Sequence, residues 1–191
     1  MFCDGMNLPF ALDPDTFAGL AGSEAELFQR TLVGVSGYGV EIGCLDGFSS
    51  VVILASAPHL HLTSIDPLVP DSMEPSLRGV ESRLRANLAP FADRWTFIKE
   101  YSQNVAWGGP QLDFLFIDGD HTYDAVLRDY TTWKSWLKIG GLLAIHDSRM
   151  SRPGGAKFHV GPSKVANEWI YDRPEWRIIG EAFSLTIAQK Q

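Results

Sequence analysis

The chain has 191 residues, room for one domain with a sizeable core, and 45% hydrophobic with 20% charged content excludes wholesale disorder. A net charge of -7 speaks against a broad nucleic-acid surface, which needs Lys and Arg to neutralise phosphates, but leaves room for a small nucleotide held by backbone amides. No window approaches the ~20 apolar residues of a membrane span, and two cysteines, Cys3 and Cys44, fit a reduced, cytoplasmic setting better than a structural disulfide.

Residues 1–22 carry several Pro and Gly without a sustained period and read as an arm. Acidic Asp4, Asp13 and Asp15, with no Lys or Arg before Arg30, are the reverse of a signal peptide. Ser23 and Glu26 make a capping-box pattern, and Leu27, Phe28, Leu32 and Val33 form an apolar stripe at helical spacing. Residues 1–35 are thus the N-terminal arm and helix of a single domain spanning 1–191, and the glycine-bearing segment 34–39 ends that helix.

Residues 40–50 (Val-Glu-Ile-Gly-Cys-Leu-Asp-Gly-Phe-Ser-Ser) read as a buried strand, a turn with Gly43 and Gly47, and a helix start where Ser49 or Ser50 caps the first amides. The two glycines free the main chain and let a flat ligand lie against it. The helix start welcomes a polar or anionic group, and Glu41 can reach into the same crevice. Pro58 stops the helix.

A second strand over 61–66 ends in Asp66. Leu77, Val80, Leu84 and Leu88 mark a helix, and residues 95–99 a third strand leading to Tyr101 and Ser102. Residues 112–117 are a continuous apolar strand, buried on both faces, that ends in Asp118-Gly119-Asp120-His121. Tyr123, Val126, Tyr130, Trp133 and Leu137 mark the next helix, closed by Gly140-Gly141. A fifth strand, 142–145, ends in His146-Asp147. A basic loop over 148–162 carries Arg149, Arg152, Lys157 and His159, a helix spans about 163–171, and two closely linked strands near 176–180 and 184–188 pair antiparallel.

The alternation implies an α/β fold, a doubly wound, mostly parallel sheet with helices on both faces and an antiparallel C-terminal strand pair. Ligands bind such sheets outside the carboxyl ends of the strands. Glu41, Gly43, Asp66, Ser102, Asp118, His121, His146 and Asp147 all fall there. Asp66 sits about 20 residues past the glycine turn, either accepting ribose hydroxyls or simply turning the chain before Pro67. Asp118 and Asp147, at the ends of neighbouring strands, either share a hard cation such as Mg²⁺ or Ca²⁺ or cap helices. His146 is a third ligand or a packed side chain. His121 is a general base, as a neutral imidazole, or a helix-start hydrogen bonder.

Residues 41–50, 116–123 (Phe-Ile-Asp-Gly-Asp-His-Thr-Tyr) and 140–147 (Gly-Gly-Leu-Leu-Ala-Ile-His-Asp) together resemble three motifs of class I S-adenosylmethionine-dependent methyltransferases. The nearest group is the catechol and caffeoyl-CoA O-methyltransferases with their sugar-hydroxyl relatives. The resemblance implies a Rossmann-like fold and methyl transfer to a small-molecule hydroxyl (sugar, phenol or natural product). It implies that Glu41, Gly43, Gly47 and Ser49 line the methionine and ribose side of S-adenosylmethionine, with Asp66 on the ribose hydroxyls. Tyr101 and Ser102 fall near the adenine, Asp118 touches both cofactor and metal, and His121 is catalytic. A divalent metal, Mg²⁺ foremost, would lie on Asp118, His146 and Asp147, although the group has Asp-Asn or Asp-Asp where this chain has His146-Asp147. It also implies a homodimer formed through N-terminal segments. The weaker expectations are an NAD-dependent oxidoreductase, disfavoured by Leu45 where its fingerprint wants Gly, and a non-catalytic nucleotide-binding module.

Overall fold

The computed structural model describes residues 20, 22–70, 77–155 and 159–191. The seven strands are β1 (Ser36–Ile42), β2 (His59–Ile65), β3 (Trp95–Ile98), β4 (Leu112–Ile117), β5 (Leu137–Ile145), β6 (Trp176–Ala182) and β7 (Leu185–Lys190). They form one sheet in the order β3-β2-β1-β4-β5-β7-β6. The first five are parallel, while β7 runs antiparallel between β5 and β6. The expected α/β architecture and the antiparallel final pair are therefore present. The chain winds outward from β1 through β2 to β3, then returns to start β4 on β1's other side. The crevice above β1 and β4 is the switch point at which such sheets bind ligands.

The helices are α1 (Gly22–Leu32), α2 (Phe48–Ser56), α3 (Val80–Leu88), α4 (Tyr123–Trp133) and α5 (Val160–Trp169). Two apolar cores cover the sheet. One joins α1, α2 and α3 to residues such as Phe114 and Phe116, the other joins α4 and α5 to Val40, Leu115 and Leu143. Phe28 on α1 meets Phe114 and Phe116 edge-on, with ring centroids 6.0 and 5.3 Å apart. Burying such a ring stabilises the fold by roughly 1.5–3 kcal/mol. Residues 1–19 and the lysine of the basic loop, Lys157, lie outside the described residues.

Several local expectations need correction. Ser23 lies inside the first turn of α1, because the helix already begins at Gly22. β1 starts at Ser36, so the glycines at 37 and 39 belong to a strand and do not merely end a helix. α4 stops at Trp133, and Gly140-Gly141 lies inside β5, whose ladder with β4 slips between Leu112 and Phe114. α5 begins at Val160, ahead of the expected 163.

Candidate functional site

The turn after β1 is built for closeness. Gly43 has φ +82°, and a Cβ there would stand 2.1 Å from the Asp118 carbonyl oxygen, so the turn lies directly on the backbone leaving β4. Gly47, also at positive φ, would place its Cβ 2.3 Å from Leu88. Its smallness seats α2 against α3. Asp66 faces the same turn. Its Oδ2 accepts the Cys44 and Leu45 amides at 2.9 Å each, and its Oδ1 accepts the Leu68 amide at 2.7 Å. A carboxylate has about four acceptor sites, so one is left over on Oδ1 among the described residues.

Glu41 does not open on the crevice as expected. It is fully buried and accepts hydrogen bonds from the hydroxyls of Ser49 (2.5 Å), Ser50 and Ser64 (2.6 Å). Burial pushes its carboxyl up to about 7 against those hydroxyls. Ser49 and Ser50 therefore hold Glu41 and do not cap α2, whose N-cap position is Gly47. Ser102 is likewise buried and donates to Asp129 of α4, whose carboxyl burial raises to about 6. Tyr101 beside it is exposed.

Across β1 from Asp66, the ends of β4 and β5 bring five titratable side chains together. His146 Nδ1 lies 3.1 Å from Asp118 Oδ1 and 3.6 Å from Asp147 Oδ2. His121 Nε2 lies 3.2 Å from Asp147 Oδ2 and 3.7 Å from Asp118 Oδ1. His159 Nε2 stands 3.6 Å from Asp147 Oδ2, its ring stacked on His121 at 4.0 Å. Ligating atoms of Asp118, His121 and His146 fall within 4.8 Å of one another, as do those of His121, Asp147 and His159. The expected trio of Asp118, His146 and Asp147 is thus divided between two groups that His121 shares.

Burial opposes charge on His121, but hydrogen bonds to Asp118 and Asp147 outweigh it and lift the imidazole to about 9. His146 is held well above its ordinary value, the charge of Asp118 overcoming the cost of burial. Burial works to raise Asp118 and Asp147 too, yet the two imidazoles hold both carboxyls below their usual range. The premise of a neutral His121 near pH 7 is therefore corrected: between two bare carboxylates it is an imidazolium. His159 moves the other way, depressed by burial and by the charge of His121.

A protein-family model described as a methyltransferase domain matches residues 40–148, more than half of the chain. The chain belongs to this methyltransferase-domain family. It is 30% identical over 119 residues to an uncharacterized protein of Acanthamoeba polyphaga mimivirus, covering 56% of this chain and 50% of that protein, so it spans about half the relative's length. Its fold is similar to that of a Podospora anserina methyltransferase solved with S-adenosylhomocysteine (13% identity, TM-score 0.66, 94% of this chain and 82% of the other). It is also similar to the O-methyltransferase TomG of Streptomyces achromogenes, solved with S-adenosylmethionine (15%, 0.63, 91% and 82%). An rRNA methylase from Streptococcus thermophilus shares the fold as well (10%, 0.56, 88% and 95%). Likeness at these identities speaks for the scaffold alone.

The sequence did not mark His159, Glu24 or Ser184 as parts of the site. His159 arrives because Gly161 lets the start of α5 press on the turn before α4. A Cβ at Gly161 would stand 2.2 Å from the His121 carbonyl oxygen. Glu24 and Ser184 reach His146 from α1 and from the β6–β7 connection. The described start of the basic loop is anchored to the sheet. Arg149 is buried and donates to Glu181 and to the Phe183 and Pro153 carbonyls, and Ser148 donates to Thr186. Among the described residues, no helix is long and apolar enough to cross a membrane.

Proposed function

We propose that the chain is an S-adenosylmethionine-dependent O-methyltransferase acting on a hydroxyl of a small molecule (a sugar, phenol or natural product). The observation that carries this reading is the juxtaposition at one switch point. The Asp66-clamped glycine turn stands beside the Asp118–His121–Asp147 cluster, in a domain of the methyltransferase family. The acceptor side is acidic and histidine-rich, and the net charge of -7 makes a small molecule a better acceptor than RNA.

Asp66 fits the cofactor through its remaining acceptor site, which suits a ribose hydroxyl; Tyr101 and Ser102 flank the adenine side. The sulfonium methyl is electrophilic when the cofactor is bound, so the chain has to align it with an oxygen nucleophile and remove one proton. His121 takes that proton when its ring is in the neutral form. Its ring stands at the outer edge of the cluster, partly exposed, between the two carboxylates and against His159.

A divalent ion fits the cluster on one observation: the buried atoms His146 Nδ1 and Asp147 Oδ1 have no hydrogen-bond partner among the described residues. Asp118 and His146 would hold it, with Asp147 beside them. There it would acidify the acceptor hydroxyl and offset the carboxylate charge that otherwise keeps His121 protonated.

Calorimetric titration of the full chain with S-adenosylmethionine, S-adenosylhomocysteine and NAD tests the cofactor. The first two should bind and NAD should not; tight NAD binding alone would turn the reading to an oxidoreductase. Transfer of a labelled methyl group to a panel of sugars and phenols tests the reaction. Binding without transfer to any hydroxyl, or transfer to RNA alone, would overturn the acceptor class.

A further inference from the structure

We infer that the ion of this site is a transition-metal ion that accepts imidazole nitrogen (Mn²⁺, Fe²⁺, Co²⁺ or Zn²⁺) rather than Mg²⁺, and that Glu24 is the buried carboxylate that aims His146 at it. The inference rests on the methyltransferase reading of the cluster and adds the class of ion and a positioning residue.

The argument starts behind His146. Its Nε2 lies 3.4 Å from Glu24 Oε2 and 3.1 Å from Ser184 Oγ. The single Ser184 hydroxyl proton is donated to Glu24 Oε1 at 2.6 Å, and the Ser184 amide donates to the same oxygen at 2.9 Å. With its proton spent, Ser184 Oγ can only accept from the ring. Nε2 therefore carries a hydrogen, which leaves Nδ1 as the ring nitrogen open to a metal ion. Glu24 is 0% exposed and His146 8%, so this arrangement is locked in the core.

In front of the ring, Nδ1 has no properly directed hydrogen bond, although Asp118 Oδ1 and Asp147 Oδ2 are 3.1 and 3.6 Å away. A buried, unpartnered Nδ1 that faces two carboxylate oxygens is a place where a cation is favoured. Ligands held about 2.0–2.2 Å from a zinc-sized ion stand roughly 3.0–3.6 Å from one another, and Nδ1 stands 3.1 Å from Asp118 Oδ1. A histidine that ligates a metal usually donates its other ring N–H to a carboxylate, which fixes the ring's orientation and raises its basicity. The Glu24–His146 pair has that form. A nitrogen ligand moves the preference away from Mg²⁺, which favours oxygen, toward the first-row transition ions.

The two histidines of the rim then take different duties. His146 is gripped from behind and cannot turn. His121 is steadied by stacking on half-buried His159 and by the shared carboxylates, so it can accept and pass on a proton.

The test uses the full chain stripped with chelator and titrated with Co²⁺ and Mg²⁺, read by calorimetry and by the visible ligand-field absorption of Co²⁺. Co²⁺ should bind at least 100-fold more tightly than Mg²⁺. His146→Asp, which makes the set all-oxygen, should cut that preference tenfold or more and change the Co²⁺ spectrum. Glu24→Gln should weaken Co²⁺ by about 10- to 100-fold, with S-adenosylmethionine affinity within about threefold of the parent. An unchanged preference and spectrum in His146→Asp, equal affinity for the two ions in the parent, or no binding of either would overturn the inference. Should Glu24→Gln not fold, the parent and His146→Asp decide it. Cofactor titration separates the two readings: a chain that binds S-adenosylmethionine but shows no preference for Co²⁺ loses only the ion. A chain that binds Co²⁺ but no S-adenosylmethionine loses the methyltransferase reading.

Discussion

The two ends of the strand rim handle buried carboxylates in opposite ways. On the β1–β2 side, Glu41 is surrounded by three serine hydroxyls and Asp66 by three backbone amides, so each acid is satisfied by neutral donors. Burial then prevails at Glu41, and its carboxyl rises to about 7. On the β4–β5 side, imidazoles face Asp118 and Asp147, and both carboxyls are held down in spite of burial. The first region is a hydrogen-bond lattice, complete but for one acceptor site on Asp66, that shapes a crevice. The second keeps charge concentrated and two buried polar atoms unpartnered, the condition under which a cation or a reacting group is favoured.

Substitutions can break this contrast, and the largest effect belongs to the junction between the two regions. Gly43→Ala combines a positive φ with a Cβ driven onto the Asp118 backbone. It should destabilise the fold by about 3 kcal/mol, visible as a fall in Tm, and weaken cofactor and metal binding together. A Gly43→Ala variant with parental Tm would mean that the two regions are not in backbone contact. His121→Ala belongs to one side only. It should lower methyl transfer by about 10²- to 10⁴-fold while cofactor affinity stays within a few-fold, and full activity would remove His121 from the proton transfer.

Glu41→Gln addresses the satisfied side through pH. A buried acid whose folded pKa exceeds its unfolded value binds more protons when folded, so stability falls as pH rises between about 4.5 and about 7. That shift corresponds to ~3 kcal/mol. The Gln variant should lose most of this slope in denaturation curves taken across that window. It should keep the smaller part due to Asp129, which runs from about 3.8 to about 6. An unaltered slope in the variant would show that Glu41 is ionised throughout. The smallest effect is expected away from the rim. Lys99→Ala removes an exposed 2.8 Å pair with Glu81 and should change stability by less than about 1 kcal/mol.

The satisfied side was largely legible in the sequence because its partners are near neighbours along the chain or along adjacent strands. The glycine turn, the helix after it and Asp66 at the end of the next strand all follow from local pattern, and strand alternation put Asp118 beside Asp147. What the pattern missed came from tertiary contact. Glu41 reads as an acid at a strand end, yet the alternation of side chains turns it into the sheet's α2 face, beneath Ser49 and Ser50. Gly140-Gly141 reads as a helix stop because nothing local reveals that β5 is already paired with β4 from Leu137 onward. Glu24 is 122 residues from His146, and in sequence it is one more acid in the first turn of a helix. His159 was visible only as part of a basic loop, since its seat over His121 depends on how closely α5 can approach at Gly161.

The contact between residue 24 and residue 184 also sets an order of events in biosynthesis. While the polypeptide is still emerging from the ribosome, helix and strands up to residue 145 can associate, but His146 has its complete backing only after residue 184 has left the exit tunnel. Metal capture would then report that the last hairpin has closed. A nascent fragment ending before it would bind the ion less well, however complete its sheet.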